Sequence, residues 1–131
     1  MINRILIVDD SDTARMFTRR CVEIAGLANV EFVEASNGDE ALRVLQKSKV
    51  ELVITDLNMP LMNGEELLKK IKQDSKTSGV SVLMITSTHN EAKRTEMIAM
   101  GALSVLSKPI APATVMEALA PLLKAGGGKS A

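Results

Sequence analysis

The chain has 131 residues, 46% of them hydrophobic and 24% charged, with 16 basic against 16 acidic side chains. That is enough for one globular domain with a real core and too little for two. A formal net charge of +0 removes the electrostatic case for binding nucleic acid or a membrane surface, and no apolar stretch reaches the roughly 18 residues of a membrane span.

The core must be aliphatic. There is no Trp or Tyr and there are only two Phe, while eight Met serve as flexible filler. The single cysteine, Cys21, has no internal disulfide partner. After Met1 come Asn3 and Arg4 and then a strand-length apolar run, which is no signal peptide. Together these point to the cytoplasm.

Arg4 to Val8 is a continuous apolar run ending in Asp9-Asp10 and reads as a buried strand. Ser11 or Asp12 can cap the following helix, whose apolar stripe is Ala14, Phe17, Cys21, Ile24 and Ala25, with Gly26 as its stop. Cys21 on that stripe is a core residue. Val30 to Ala35 is a short strand, Asn37-Gly38 turns the chain, and a second helix over Asp39 to Lys47 carries Ala41, Leu42 and Leu45. The third strand, around Leu52-Val53-Ile54, closes on Asp56, with Pro60 and Asn63-Gly64 marking the loop beyond.

Glu65 to Gln73 predicts a third helix with Leu67, Leu68 and Ile71 inward. Its outward face pairs Glu65 with Lys69 and Glu66 with Lys70 at i,i+4. A polar loop leads to a strand over Val80 to Ile85, followed by Thr86-Ser87-Thr88. A weakly amphipathic helix over Glu91 to Met100 stops at Gly101. A fifth strand, Leu103 to Leu106, runs into Ser107-Lys108-Pro109. The last helix carries Val115, Ala118, Leu119 and Leu122, with Pro121 expected to kink or fray its final turns. Residues 125–131 read as a flexible Gly-rich tail beyond a domain of residues 1–124: a linker stub, an expression remnant or a natural loose end.

Five strands alternating with five helices predict an α/β fold, a doubly wound, flavodoxin-like parallel sheet in the order 2-1-3-4-5. That order makes the first and third strands neighbours, with Asp9, Asp10 and Asp56 at their carboxyl ends. The fourth and fifth deliver Thr86 and Lys108 to the same edge, where open α/β sheets hold their ligands. Three carboxylates in one crevice repel one another at a cost of several kcal/mol, so a cation is called for. Carboxylate, carbonyl and water oxygens are the donors Mg²⁺ prefers. With Lys108 as a fixed positive charge and Thr86 as a hydroxyl donor, the space left suits a phosphoryl group. Asp56 can take it as an acyl phosphate, with Asp10 contacting the metal directly and Asp9 acting through a water. Asn58 and Thr88, two residues past Asp56 and Thr86, flank the group and should govern its hydrolysis.

The motifs Ile-Val-Asp9-Asp10, Thr55-Asp56-Leu-Asn-Met-Pro60 with Gly64, Ile-Thr86-Ser87 and Ser-Lys108-Pro109 stand in this order across residues 4 to 124. In them the chain resembles the receiver domain of two-component response regulators, of the single-domain chemotaxis type. The resemblance implies phosphorylation of Asp56 by a phosphohistidine of a sensor histidine kinase or phosphotransfer protein, with Mg²⁺ required. It implies a regulatory phosphoacceptor rather than an enzyme, catalysing only its own phosphorylation and slow autodephosphorylation. It adds the backbone carbonyl of Asn58 to the metal ligands and makes Lys108–Pro109 a cis peptide.

Two positions depart from the family pattern: Val105 stands where an aromatic switch residue is common, and Ile110 where Phe often follows Lys-Pro. The readout is then expected from Thr86, from the loop of residues 87–91, and from the face of helix 4, strand 5 and helix 5. That face would bind a downstream protein or output domain and serve as the contact in a weak dimer; otherwise the protein is a monomer. No output segment fits after residue 124, so the chain is a stand-alone receiver or the first part of a longer regulator, with no nucleic acid or membrane bound directly.

Other readings are weaker. A Mg²⁺-dependent aspartyl phosphatase would need a second carboxylate two residues after the nucleophile, where Asn58 stands. A flavin or nucleotide module would need a Gly/Ser/Thr-rich loop after the first strand, where Asp9-Asp10 would repel phosphate. His89, the one histidine, is expected in solvent.

Overall fold

The structure is a computed structural model that describes the backbone of residues 2–130 and the side chains of residues 2–123. Strands and helices alternate without exception: β1 Arg4–Val8, α1 Asp12–Ile24, β2 Glu31–Ala35, α2 Gly38–Lys47, β3 Leu52–Asp56, α3 Gly64–Gln73, β4 Ser81–Thr86, α4 Glu91–Ala99, β5 Ser104–Ser107 and α5 Pro112–Ser130. All strand pairs are parallel and the order is β2-β1-β3-β4-β5, as expected. β3 is central, and each of its five residues is buried.

Successive side chains of a strand point to opposite faces, so the sheet divides its apolar residues between two cores. Leu6, Val53, Val82 and Met84 pack against α2, α3 and α4 through Ala41, Leu45, Leu67, Leu68, Ile71 and Met97. Ile5, Ile7, Ile54, Leu83 and Ile85 pack against α1 and α5 through Cys21, Val22, Val115 and Leu119. Continuous apolar runs in β1, β3 and β4 follow from this two-sided burial. Four helices begin on a side-chain cap: Ser11, Asn37, Asn63 and Asn90 each accept from the backbone N–H three residues on. Gly26 and Gly101, at φ +118° and +110°, occupy the left-handed region just past α1 and α4.

Two expectations need correction. The buried face of α1 and its cap is Thr18, Cys21, Val22 and Ala25; Cys21 and Ala25 of the predicted stripe lie inward as expected, but Phe17 is 51% and Ile24 65% exposed. The stripe through Phe17 and the one through Thr18 both have helical spacing, and contact with α5 and the sheet selects the second. The ion pairs within α3 are replaced. Glu65 bonds Lys93 of α4, and Glu66 turns back to the Asn63 N–H in a capping box. The backbone of α5 continues past Pro121 to Ser130. Ala131, the last residue of the expected tail, lies outside the described residues.

Candidate functional site

β1 and β3 pair with Val8 opposite Thr55, so the residues that follow, Asp9 and Asp56, leave the sheet side by side. Asp9 and Asp56 are buried and Asp10 is exposed, and each has a carboxylate oxygen within 4.8 Å of the others'. Backbone geometry fixes the two buried ones. The Ser11 N–H donates to Asp9 Oδ1 at 2.9 Å, and the Asn58 N–H donates to Asp56 Oδ1 at 3.0 Å. That leaves Asp56 Oδ2 facing Lys108, whose ammonium donates to it at 3.2 Å and lies 3.5 Å from Asp9 Oδ2.

Lys108 reaches this point because β5 ends one residue earlier and its N–H donates to the Thr86 carbonyl at 2.7 Å. Its bond to Pro109 is cis. Burial by itself lowers the Lys108 pKa, but the Asp56 and Asp9 carboxylates more than reverse this and hold it above its ordinary value. The cation is therefore permanent at neutral pH.

Thr86 is buried at the end of β4 and its hydroxyl is fully engaged. It accepts from the Asn58 side-chain amide at 3.1 Å and from the Thr88 N–H at 3.1 Å, and donates its one hydrogen to the Thr88 carbonyl at 3.2 Å. Val105, opposite Met84 across β4 and β5, is a buried core residue. Thr88 and His89 are exposed, with His89 Nδ1 3.5 Å from Ser107 Oγ. Among the described residues, the candidate metal donors that converge are Asp9, Asp10 and Asp56. This is an all-oxygen set on two rigid strand ends, which fits a hard divalent ion such as Mg²⁺.

A family model described as the response regulator receiver domain matches residues 5–120. The chain belongs to the receiver domain family of response regulators. Chemotaxis protein CheY homologs of Campylobacter jejuni are 33% identical over 129 residues, covering 98% of both chains. The chemotaxis protein CheY4 of Vibrio cholerae superposes with a TM-score of 0.78 at 32% identity, covering 92% of this chain and 98% of that one. A receiver domain protein of Clostridium thermocellum superposes at 0.81 with 26% identity, covering 96% and 98%.

This receiver domain is thus CheY-type, a regulatory phosphoacceptor module of two-component signalling and not an enzyme in the ordinary sense. Its acidic pocket has the composition that phosphoryl acceptance with Mg²⁺ requires.

Arg15 helps build the receiver site without having been singled out in the sequence, and Ser87 and Gly64, quoted there only within motifs, take definite roles. Arg15 Nη1 donates to the Asp9 carbonyl at 2.6 Å and its Nε to Glu34 at 2.7 Å, pinning the end of β1. Its place three residues after Asp12, with which it also pairs, was the one local signal. Ser87 accepts from the Asn58 side chain at 3.3 Å, a contact between two loops that no spacing reveals. Gly64 reads as a turn residue, but its real constraint is crowding. A Cβ there would stand 2.6 Å from the Asp56 carbonyl oxygen and 2.8 Å from Leu57 Cα, both backbone atoms.

Proposed function

We propose that Asp56 is the phosphoacceptor of this receiver. The observation that carries the reading is that Asp56 sits at the end of the central strand with one carboxylate oxygen tied to a backbone N–H and the other in contact with Lys108. An Asp56 oxygen attacks phosphorus of a phosphohistidine, the P–N bond breaks as the P–O bond forms, and the leaving imidazole takes up a proton. Lys108 then shifts from Asp56 Oδ2 to a phosphoryl oxygen, and the Thr86 hydroxyl donates to another. Asp9, Asp10, Asp56 and the Asn58 backbone carbonyl would hold Mg²⁺, which neutralises the charge of the transferring group. Asn58, held at Thr86 and Ser87, and Thr88 bound the route of the attacking water and set the lifetime of the acyl phosphate.

Output follows from the one hydrogen on Thr86. Once a phosphoryl oxygen takes it, the Thr88 carbonyl loses its donor and residues 87–91 rearrange. The change is read on the face of α4, β5 and α5, where Val105 is too small to act as a moving ring. A sensor histidine kinase or phosphotransfer protein supplies the group and a downstream protein binds that face. Residues 1–124 form the working unit. Among the described residues no helix is long and apolar enough to cross a membrane, and the cytoplasm is the compartment of such a kinase's phosphohistidine.

The test is phosphotransfer from a phosphohistidine donor to wild type and to Asp56→Asn, which should keep the fold and incorporate nothing. Stable label elsewhere in the variant would overturn the assignment. Amide exchange with a beryllofluoride mimic should change within residues 87–106; change confined to another face refutes the output reading.

A further inference from the structure

α4 is joined to α3 by a charged contact whose lysine also has a partner on its own helix. Lys93 Nζ donates to Glu65 Oε1 at 2.9 Å. The contact borders a cavity of about 380 Å³ lined by Leu57, Asn58, Met59, Asn63, Glu65 and Lys93. The same ammonium donates to Glu96 of its own helix at 3.2 Å. Glu65 stands one turn before Lys69, at the i,i+4 spacing that stabilises a helical pair. Opening the contact between the helices therefore leaves Lys93 with Glu96 on its own helix and Glu65 within i,i+4 reach of Lys69. Glu65 and then Glu96 hold the Lys93 pKa above its ordinary value, so the cation persists in both arrangements.

α4 rests on β5 and its cap Met100 packs against the core, but its own burial is slight. Met97 is its one buried residue, and Ile98 is 39% exposed. Its first turn is tethered on the other side through Thr88, whose carbonyl accepts from Thr86 two residues before the Asn90 cap. A helix with one buried residue, biased from the phosphoryl site through that tether, is what a two-state switch can use.

We propose that the Glu65–Lys93 pair is a latch that holds α4 against α3 in the unphosphorylated receiver and sets how readily the phosphoryl signal releases it. This rests on the reading of Asp56 and Thr86 above. The side chains of the pair are 30% and 39% exposed, so solvent screens it and the equilibrium should move roughly two- to five-fold on its loss.

The experiment compares wild type, E65Q, K93Q and the double variant in two measurements. The first is amide exchange of residues 91–99 in unphosphorylated protein without Mg²⁺. The second is apparent affinity for beryllofluoride with Mg²⁺. Both single variants should exchange α4 amides two- to five-fold faster and bind beryllofluoride tighter by a similar factor. The double variant should do no more than K93Q, because one interaction cannot be lost twice. Raising salt to 1 M should loosen α4 in wild type and add nothing to the variants. Wild-type exchange in both single variants, additive effects in the double, or equal loosening of residues 64–73 overturns the latch. If wild type binds no beryllofluoride, the phosphoacceptor reading fails while the exchange measurement still decides the latch.

Discussion

α3 and α4 flank the same strand and begin alike, each on an asparagine cap, yet they are held very differently. α3 buries Leu67, Leu68 and Ile71 at 0% exposure. Its far end is also anchored: Thr77 Oγ1 donates to the Ile71 carbonyl at 2.7 Å, and Lys72 Nζ donates to Val80 O at 2.7 Å and Ser78 O at 3.1 Å. α4 has Met97 and a shared lysine. Caps make both segments helical; buried area decides which of them can move without unfolding the rest. The acceptor site stands between the two, so a change there is resisted on one side and yielded to on the other.

The largest expected effect breaks the comparison directly. Leu68→Ala in α3 should cost about 2–5 kcal/mol of stability, since the side chain is wholly buried and leaves a cavity. Ile98→Ala in α4 should cost about 1 kcal/mol or less, as befits a half-exposed position. Urea unfolding followed by far-UV circular dichroism measures both, the chain having no Trp or Tyr for fluorescence. Equal losses would mean that α4 is as firmly seated as α3.

Mg²⁺ sharpens the comparison by acting on neither helix. At ten times its Kd it should stabilise the protein by about 1.4 kcal/mol, by relieving repulsion among Asp9, Asp10 and Asp56. Asp10→Asn should lose most of that gain. Thermal melts with and without Mg²⁺ decide it, and identical shifts in both proteins would rule out the metal site.

The smallest effect lies at the opposite edge of the sheet and should leave the two helices equally affected. Glu51 Oε1 accepts from the backbone N–H of Asn3 and of Arg4, both at 2.8 Å. Burial pushes the carboxyl pKa up, but those two bonds outweigh it and hold the pKa below its ordinary 4.5. The contribution is therefore complete above about pH 4.5 and is lost as pH falls through the lower folded value. Partial exposure keeps it to about 1 kcal/mol. Glu51→Gln should flatten that part of the acid limb in pH-dependent unfolding; an unchanged limb would place the acid sensitivity elsewhere.

Much of the site was legible because it is written at strand ends. Asp9, Asp56, Thr86 and Lys108 each follow an apolar run of strand length, and a parallel sheet brings the ends of such runs to one edge whatever the details of packing. Asn58 and Gly64 were visible as residues but not in what they do. The Asn58 amide crosses to Thr86 and Ser87, and Gly64 makes room for the backbone of Asp56 and Leu57. Both are contacts between loops, which carry no periodicity.

The sequence by itself determined the alternation of five strands and five helices and the residues that end the strands, because apolar period, caps and breakers act within a few residues of one another; the sheet order was expected from the fold class and is set by pairing between distant strands. Only the tertiary structure decided which face of α1 is buried, leaving Phe17 and Ile24 in solvent, and which cation Glu65 meets. Two helical stripes competed in α1, and two partners at workable distance competed for Glu65. In each case helical spacing allowed both, and packing against an element far away in the chain made the choice.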